Sequence, residues 1–429
     1  MSPTFRSLRN RNYRIYAAGQ LAANVGVWMQ RVAQDWLVLE LSGGSAIALG
    51  VTVGLQFLPI LLFSLWGGSL ADRLPRRRLL IVTAGGMVVL ATALGLLVIL
   101  GLATVAIVMV MAFALGVVAA IDSPARQAMV SEMVPAADLH NAVALNSASF
   151  NLGRVLGPAT AGLLVAAVGS GWVFLVNAAG YVAVIGALLL LRADELDSPE
   201  PVRRESGVLR EGLRYVADRP RLVLVMVVAF FVGTFGLNYQ LTIAIMTTQE
   251  FGLGPAQFGL ASTVLAVGSL CGSLLAARRG TPPLRLIIFA SVFFGAAAVL
   301  AAAMPTYRTF LLALPLVGAG ALTLITAMQS YLQLHSEPQV RGRVMGLYML
   351  VFMGGTPLGS PLVGWIAETF GARWSIALGG VVSALAAGGA AWLLLRSERL
   401  TVQPHLRPHP HLHVVDRMPG GQRAAVPST

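Results

Sequence analysis

Charged residues are scarce in this chain of 429 residues. Only 11% of the residues are charged, whereas 56% are hydrophobic, and the mean hydropathy is +0.76. Soluble domains carry about 25% charged residues, so this composition excludes a soluble globular protein. Long apolar runs such as Leu79–Leu102 do not alternate between polar and apolar residues, which argues against a membrane β-barrel. The sequence therefore predicts an all-α membrane protein, because a helix satisfies every backbone group within its own segment.

Cysteine is nearly absent and lysine is wholly absent. The single cysteine, Cys271, excludes a disulfide within the chain and a metal-thiolate cluster. All 30 basic residues are Arg, and the formal net charge is +12. In a soluble chain this charge would suggest a nucleic-acid partner, but in a membrane protein it marks the cytoplasmic loops. We therefore expect no nucleic-acid partner, no catalytic residues, no metal site and no cofactor.

The apolar segments and the arginines between them predict a topology. A spanning helix needs about 20 apolar residues, and twelve such segments fit the chain. With the N-terminus inside, 26 arginines fall on the cytoplasmic side, and only Arg308 and Arg373 fall on the other. This split predicts a multi-pass protein of the cytoplasmic (inner) membrane with both termini in the cytoplasm. The predicted divisions are a cytoplasmic N-terminus (1–14), a six-helix half (15–191), a cytoplasmic linker (192–221), a second six-helix half (222–395) and a disordered cytoplasmic tail (396–429).

The two predicted halves share a short repeat. Gly157 and Gly162 in the fifth span fall on Gly359 and Gly364 in the eleventh span after a shift of 202 residues. Parallel halves of this kind occur in secondary transporters whose substrate site lies between the halves near the midplane of the bilayer. The repeat therefore favours a transporter.

A loop motif lies between the second and third spans. Residues Gly68–Arg78 read GSLADRLPRRR, which resembles the loop signature of the major facilitator superfamily, with Pro75 where the signature has Gly. The resemblance implies twelve helices in two six-helix halves around a central cavity. It also implies a cytoplasmic gate in which Asp72 lies at the start of the eleventh span and Arg76 pairs with Asp122. The gate residues are Gly68, Asp72, Arg73, Arg76 and Asp122. A plain positive loop is the alternative.

A second motif lies in the fifth span. Gly153, Gly157, Pro158 and Gly162 resemble the antiporter signature of the same superfamily, with Ala161 where the signature has a further Gly. These glycines are equally explained as close-packing surfaces. The fourth span lacks the arginine that many proton-driven drug exporters carry. Together the motifs resemble the twelve-span efflux branch that includes the enterobactin exporter and drug–proton antiporters.

The first span is polar along one face. Gln20, Asn24, Arg31 and Asp35 follow one another at intervals of four, seven and four residues. Ionisable groups inside a span face a water-filled cavity or pair with one another. In one interpretation Asp35 lines the cavity and carries protons, with Arg31 and Arg154 as modulators. In a second, Arg31 and Asp35 neutralise each other within one helix, and in a third Asp35 lies at the outer interface. Arg154 is interpreted as binding an anionic substrate group, as neutralising a carboxylate across the bundle, or as extending toward the cytoplasm.

Several amide side chains in the spans are candidates for contact with a substrate. Hydrogen bonds between helices explain them equally well. The candidates are Gln20, Asn24, Asn238, Gln240, Gln329 and Gln333.

These observations predict a secondary active transporter, not an enzyme. It is expected to export small organic molecules, drug-like or siderophore-like, by proton antiport with alternating access. The expected partners are a small-molecule substrate, protons and the lipid bilayer, and the protein is expected to be a monomer. Two alternatives stay open. One is a lysolipid or lipid-precursor transporter on the same fold, and the other is a transport-dead membrane sensor or scaffold.

Overall fold

The structure is a computed structural model that describes residues 3–196, 208–277, 282–397, 400–405 and 411–416. In these ranges the α-helices are α1 (Arg11–Leu41), α2 (Ala46–Arg73), α3 (Arg76–Ile99), α4 (Val105–Met133), α5 (Ala136–Val168), α6 (Ser170–Leu189), α7 (Val208–Ala217), α8 (Pro220–Phe231), α9 (Tyr239–Ile245), α10 (Pro255–Ala277), α11 (Leu284–Ala303), α12 (Tyr307–Leu334), α13 (Arg341–Gly354), α14 (Thr356–Phe370) and α15 (Ala372–Ser397). Short 3-10 helices cover Pro3–Arg9 and Ala193–Glu195, and π-helical segments cover Val232–Gly236 and Met246–Glu250.

Polar residues start several of the spanning helices. Asn10, Ser45, Thr104 and Thr306 each accept a hydrogen bond from a backbone N–H in the first turn of the helix that follows. Such N-caps satisfy N–H groups that the helix itself leaves unpaired. The sequence thus encodes the helix boundaries with short polar side chains between apolar runs.

The helices account for the twelve predicted spans. In the described residues, eleven helical segments are long and apolar enough to cross a bilayer. The remaining helix of the bundle, α1, has 31 residues, or about 46 Å of helix, and packs against α5 and α6. Its mean hydropathy is lower than that of the other spanning helices, because its buried positions include the polar residues Asn12, Gln20 and Asp35. Helices α1–α6 form the first half, and α8–α15 form the second half.

Two spans of the second half are interrupted. The π-helical segment Val232–Gly236 separates α8 from α9 in the seventh span, and Gly355 separates α13 from α14 in the eleventh. Residues of α9 and Thr356 at the start of α14 line the space between the halves.

The repeat seen in the sequence recurs in the packing. Gly153 and Gly157 press α5 onto α1, and the equivalent Gly355 and Gly359 press the eleventh span onto Thr234 in the seventh. Gly169 and Gly371, also 202 residues apart, take positive φ values of 86° and 100° where one spanning helix turns into the next. The glycines of the antiporter signature are therefore close-packing surfaces in this structure.

The ends of the helices define two faces of the bundle. Arg11 Nη1 donates to Leu190 O at 3.2 Å, and Arg77 Nε donates to Leu188 O at 2.7 Å. These bonds bring the starts of α1 and α3 to the end of α6, on what we call the arginine-rich face. The opposite side, which we call the far face, carries the turns at 42–45, 169 and 371.

The halves are joined toward the far face. Gly162 of α5 meets Gly259 of α10, and Gly364 of α14 meets Ala46 of α2. Glu368 Oε2 in α14 accepts hydrogen bonds from Ser45 Oγ and Ile47 N, each at 2.9 Å. The bundle is therefore closed at the far face by two equivalent helix crossings.

The linker and the tail lie outside the membrane-length helices. In the linker, α7 packs on α8 and α13, while 197–207 lie outside the described residues. The tail was predicted to be disordered, but its described part forms an antiparallel pair of strands, β1 (Leu400–His405) and β2 (His411–Asp416), joined by backbone hydrogen bonds. The rest of the tail lies outside the described residues.

Candidate functional site

Two cavities meet at Arg31. The larger, about 640 Å³, is lined by the first half and extends past Arg126 and Val143 toward the arginine-rich face; we call it the vestibule. The smaller, about 230 Å³, is lined by both halves, and we call it the central cavity. Arg31 lines both cavities. Because the far face is packed shut, access to the central cavity runs through the vestibule.

Several residues that line the central cavity have buried polar atoms without partners. Five of its lining residues have a buried side-chain atom with no hydrogen-bond partner. They are Trp28 (Nε1), Arg154 (Nη2), Asn238 (Oδ1), Tyr239 (Oη) and Ser262 (Oγ). Buried polar atoms are satisfied in most folded proteins, and leaving one unpaired costs about 1–3 kcal/mol. These five residues give the wall of the central cavity buried polar groups that are open to new hydrogen bonds when the conformation changes or a ligand binds.

Arg31 is held by aromatic rings. Its guanidinium carbon lies 5.1 Å from the centroid of the Trp28 ring and 5.2 Å from that of Phe57. Both distances are within the range of cation–π attraction. Trp28 also packs edge-on against Phe150, with 5.7 Å between the ring centroids. The aromatic rings thus fix the guanidinium at the boundary of the two cavities and leave its polar edge for other partners.

Asp35 lies one turn beyond Arg31 and interacts with it electrostatically. The residue is 1% exposed, and Gln56 of α2 is near enough to interact with its carboxylate. Asp35 is not among the described lining residues of either cavity. Its neighbour Gln34 lines the vestibule and accepts a hydrogen bond from Gln56 Nε2 at 3.2 Å. Asp35 is thus a buried carboxylate behind a pair of vestibule amides.

The vestibule is rich in carboxamides and carries an internal ion pair. Gln20, Asn24 and Asn146 are among its amides, and Asn24 Nδ2 donates to Ser149 Oγ at 3.0 Å. Asp122 is bonded to Arg126, one turn later in α4, and accepts a hydrogen bond from Thr83 Oγ1 at 2.7 Å. Both of these partners of the Asp122 side chain lie in the first half.

The predicted pair of Arg76 with Asp122 is wrong. Arg76 Nη1 instead donates to Glu132 Oε1 at 2.6 Å, with side-chain exposures of 15% and 4%. Glu132 lies in the last turn of α4, beside the start of α3, whereas Asp122 lies almost three turns deeper and already has Arg126. The sequence motif did not distinguish these two acids of α4. Asp72 and Arg73 end α2 at the same face, where Asp72 is half-buried and Arg73 is exposed.

The predicted substrate contacts divide into three groups. Gln20 and Asn24 line the vestibule, and Asn238 and Gln240 line the central cavity. Gln329 and Gln333 of α12 are outside the described lining of both cavities. The sequence interpretation also missed Tyr239 and Ser262. Tyr239 stands between Asn238 and Gln240 in the sequence, and that polar run in an apolar span was the available signal.

Residues able to hold a metal ion do not cluster in the described ranges. There, no group of three or more His, Cys, Asp or Glu residues comes together. Polar recognition in the cavities instead comes from guanidinium, amide, hydroxyl and indole groups.

Similar proteins agree in function class. The chain is 25% identical to the Staphyloferrin A transporter of Staphylococcus aureus, over 81% of this chain and 87% of the relative. It is 28% identical to the multidrug efflux pump Tap of Mycolicibacterium fortuitum, over 82% and 88% of the two chains. It is 25% identical to the enterobactin exporter EntS of Shigella flexneri, over 84% of each.

The fold and the family follow from two further matches. The crystal structure of a bacterial homolog of the human lysosomal transporter Spinster, in an inward-facing and unoccupied conformation, superposes with a TM-score of 0.70 at 15% identity, over 92% of this chain and 98% of that one. The sequence model of the family described as "Transmembrane secretion effector" matches residues 2–415. The chain therefore belongs to the transmembrane secretion effectors, a family of the major facilitator superfamily of transporters.

Proposed function

We propose that this protein exports small organic molecules across the cytoplasmic membrane by alternating access. The central cavity carries the proposal, because both halves line it and five of its buried polar atoms lack partners. A site shared by two halves can open to either face when the halves rock against each other. The relatives named as exporters and efflux pumps support the outward direction.

The arginine-rich face is proposed to lie in the cytoplasm. Arginines outside the spans are concentrated there, and cytoplasmic loops are enriched in Arg. In this orientation the vestibule receives substrate from the cytoplasm while the far face is shut. A reporter enzyme that is active only after export, fused after Thr429, is expected to be inactive. High activity would reverse the orientation.

The proposed drive is proton antiport through Asp35. A charge inside a span is costly unless it is used or paired, and Asp35 is a fully buried carboxylate in a spanning helix, beside Arg31 and Gln56. Rearrangement of α1 relative to α2 would change how water reaches this carboxylate through Gln34 and Gln56. A proton could then be taken up in one state and released in the other.

Energised everted vesicles test export and drive together. Respiration acidifies their lumen, and acridine orange reports the pH gradient. Addition of a transported compound is expected to dissipate part of the gradient in vesicles that contain the protein. Substrate-dependent accumulation that is insensitive to a protonophore would contradict proton antiport but retain export.

A further inference from the structure

The central cavity is positively charged along its walls. Arg31 and Arg154 line it, and its described lining includes no Asp or Glu. The vestibule adds Arg126 and Asp122, but these two are bonded to each other. Asp35 lies one turn from Arg31 and offsets part of its charge, whereas no acidic side chain in the described residues interacts with Arg154. A ligand that moves from the arginine-rich face to the centre therefore meets a net positive charge at Arg154. Such a field, in a cleft with low-dielectric walls, attracts anions and repels cations.

Arg154 is positioned to bind a ligand. Its Nη2 is buried without a partner, and the Tyr239 hydroxyl and the Trp28 indole N–H in the same cavity also lack partners. All three groups can donate a hydrogen bond. A guanidinium binds a planar oxyanion such as a carboxylate through two parallel N–H bonds, and such bonds are about twice as strong as neutral ones. The lining of the central cavity therefore offers a cationic donor together with neutral donors to an oxyanion.

The remaining wall is apolar and aromatic. Phe57, Leu237, Leu265 and Phe352 line the same cavity. A simple inorganic anion would leave this surface without a contact. An organic anion with an apolar or aromatic body would cover it, while its charged group met the two arginines.

We propose that the central cavity selects amphipathic organic anions, with the oxyanion on Arg154 and Arg31 and the apolar body against Phe57 and Phe352. This inference rests on the proposed export function, because it names the substrate class of that site. A cationic compound of the same shape is expected to bind weakly, since no carboxylate in the described lining would receive it.

Binding of two xanthene dyes tests the charge selection. The full-length protein in lipid nanodiscs is titrated with carboxyfluorescein, an anion, and with rhodamine 6G, a cation on the same ring system, and binding is followed by fluorescence anisotropy. We expect the anion to bind about tenfold more tightly or better, because one charge-assisted hydrogen bond changes affinity by about that factor. Failure of the anion to bind, or preference for the cation, would overturn the proposal.

Variants of Arg154 assign the effect to this site. Arg154→Gln is expected to weaken carboxyfluorescein binding about tenfold and to leave rhodamine 6G binding unchanged or tighter. Arg154→Lys should retain part of the anion affinity. Arg308→Gln is the matched control, because Arg308 is exposed at the far face. Equal losses for both dyes in Arg154→Gln would contradict an anion site. If Arg154→Gln does not fold, the affinities of Arg154→Lys and Tyr239→Phe for the two dyes are measured instead, and each is expected to lose affinity for carboxyfluorescein only.

Transport by everted vesicles separates this inference from the proposed function. Anion-selective binding without energised accumulation of either dye would contradict export and leave the anion site standing. Energised accumulation that favours rhodamine 6G would support export and overturn the anion site.

Discussion

Glu368 in the second half caps the first turn of α2 in the first half, through hydrogen bonds from Ser45 Oγ and Ile47 N at 2.9 Å each. An acidic group at a helix N-terminus is stabilised by the helix dipole. The sequence places Glu368 near the end of a span but gives no sign that it reaches across to the other half. This contact, with the two glycine crossings beside it, closes the far face.

The first prediction concerns this cap. Glu368→Ala is expected to weaken closure of the far face by about 0.3–1 kcal/mol, which corresponds to a two- to fivefold change in population. The measurement is the labelling rate of Ser262→Cys in a Cys271→Ser background, with an impermeant maleimide applied to intact cells. Glu337→Ala is the control, because Glu337 is an exposed acid bonded to Arg219 within the second half. Equal labelling rates in the two variants would show that Glu368 does not help to close the far face.

The second prediction concerns the crossing of α5 and α10. A Cβ added at Gly259 would lie 2.8 Å from Gly162 Cα, so Gly259→Val forces the crossing apart. Overpacking of this kind costs about 1–3 kcal/mol and should reduce energised efflux by about tenfold while dye binding persists. Gly389→Val is the matched control, since nothing lies within 4 Å of a Cβ at that position. Normal efflux by Gly259→Val would show that this crossing need not close during transport.

The third prediction concerns the pair that replaces the predicted gate. Arg76 and Glu132 are largely buried, and removing one partner of such a pair leaves a costly unpaired charge. Arg76→Ala and Glu132→Ala should each lower the melting temperature by several degrees. The double variant should be little worse than either single one, because residues in contact are not additive. Arg192→Ala should have almost no effect, since its pair with Glu195 is exposed. If the fall in melting temperature in the double variant equals the sum of the two single falls, the two residues do not stabilise the protein as a pair.

Much of the architecture was predictable from hydropathy and arginine positions. Apolar runs define the spans because lipid leaves few alternatives to a helix, and the loop motif at Gly68–Arg78 identifies the superfamily. The shift of 202 residues between Gly162 and Gly364 even predicts equivalent helix crossings.

The site was only partly predictable, because helix rotation and pairing depend on packing between distant segments. The spacing of Arg31 and Asp35 allowed either a pair within one helix or a carboxylate that lines the cavity, and it gave no sign that the rings of Trp28 and Phe57 pack around the guanidinium. Asp122 and Glu132 both lie in α4, and only the depth at which α3 begins decides that Arg76 meets Glu132. The π-helical segment Val232–Gly236 precedes Tyr239 in the seventh span, and the sequence has no simple signal for a π-turn.

The last prediction concerns Asp35, the buried carboxylate proposed to carry protons. Asp35→Asn keeps the shape of the side chain and removes the charge that a proton would neutralise. We expect it to abolish efflux driven by a pH gradient in proteoliposomes and to leave dye binding and passive exchange measurable, because the residue lies outside the described lining of both cavities. Asp218→Asn, an exposed acid at the end of the linker, is the control.

Full gradient-driven efflux by Asp35→Asn would place the coupling group elsewhere. The next candidate is then Asp122, the acid in the described lining of the vestibule, whose ion pair with Arg126 offers a second relay within the first half. Loss of both binding and transport, with normal folding, would instead mean that Asp35 supports the shape of the cavity through α1. The two measurements together therefore distinguish a proton carrier from a structural carboxylate, which neither the spacing along α1 nor the burial of Asp35 can do alone.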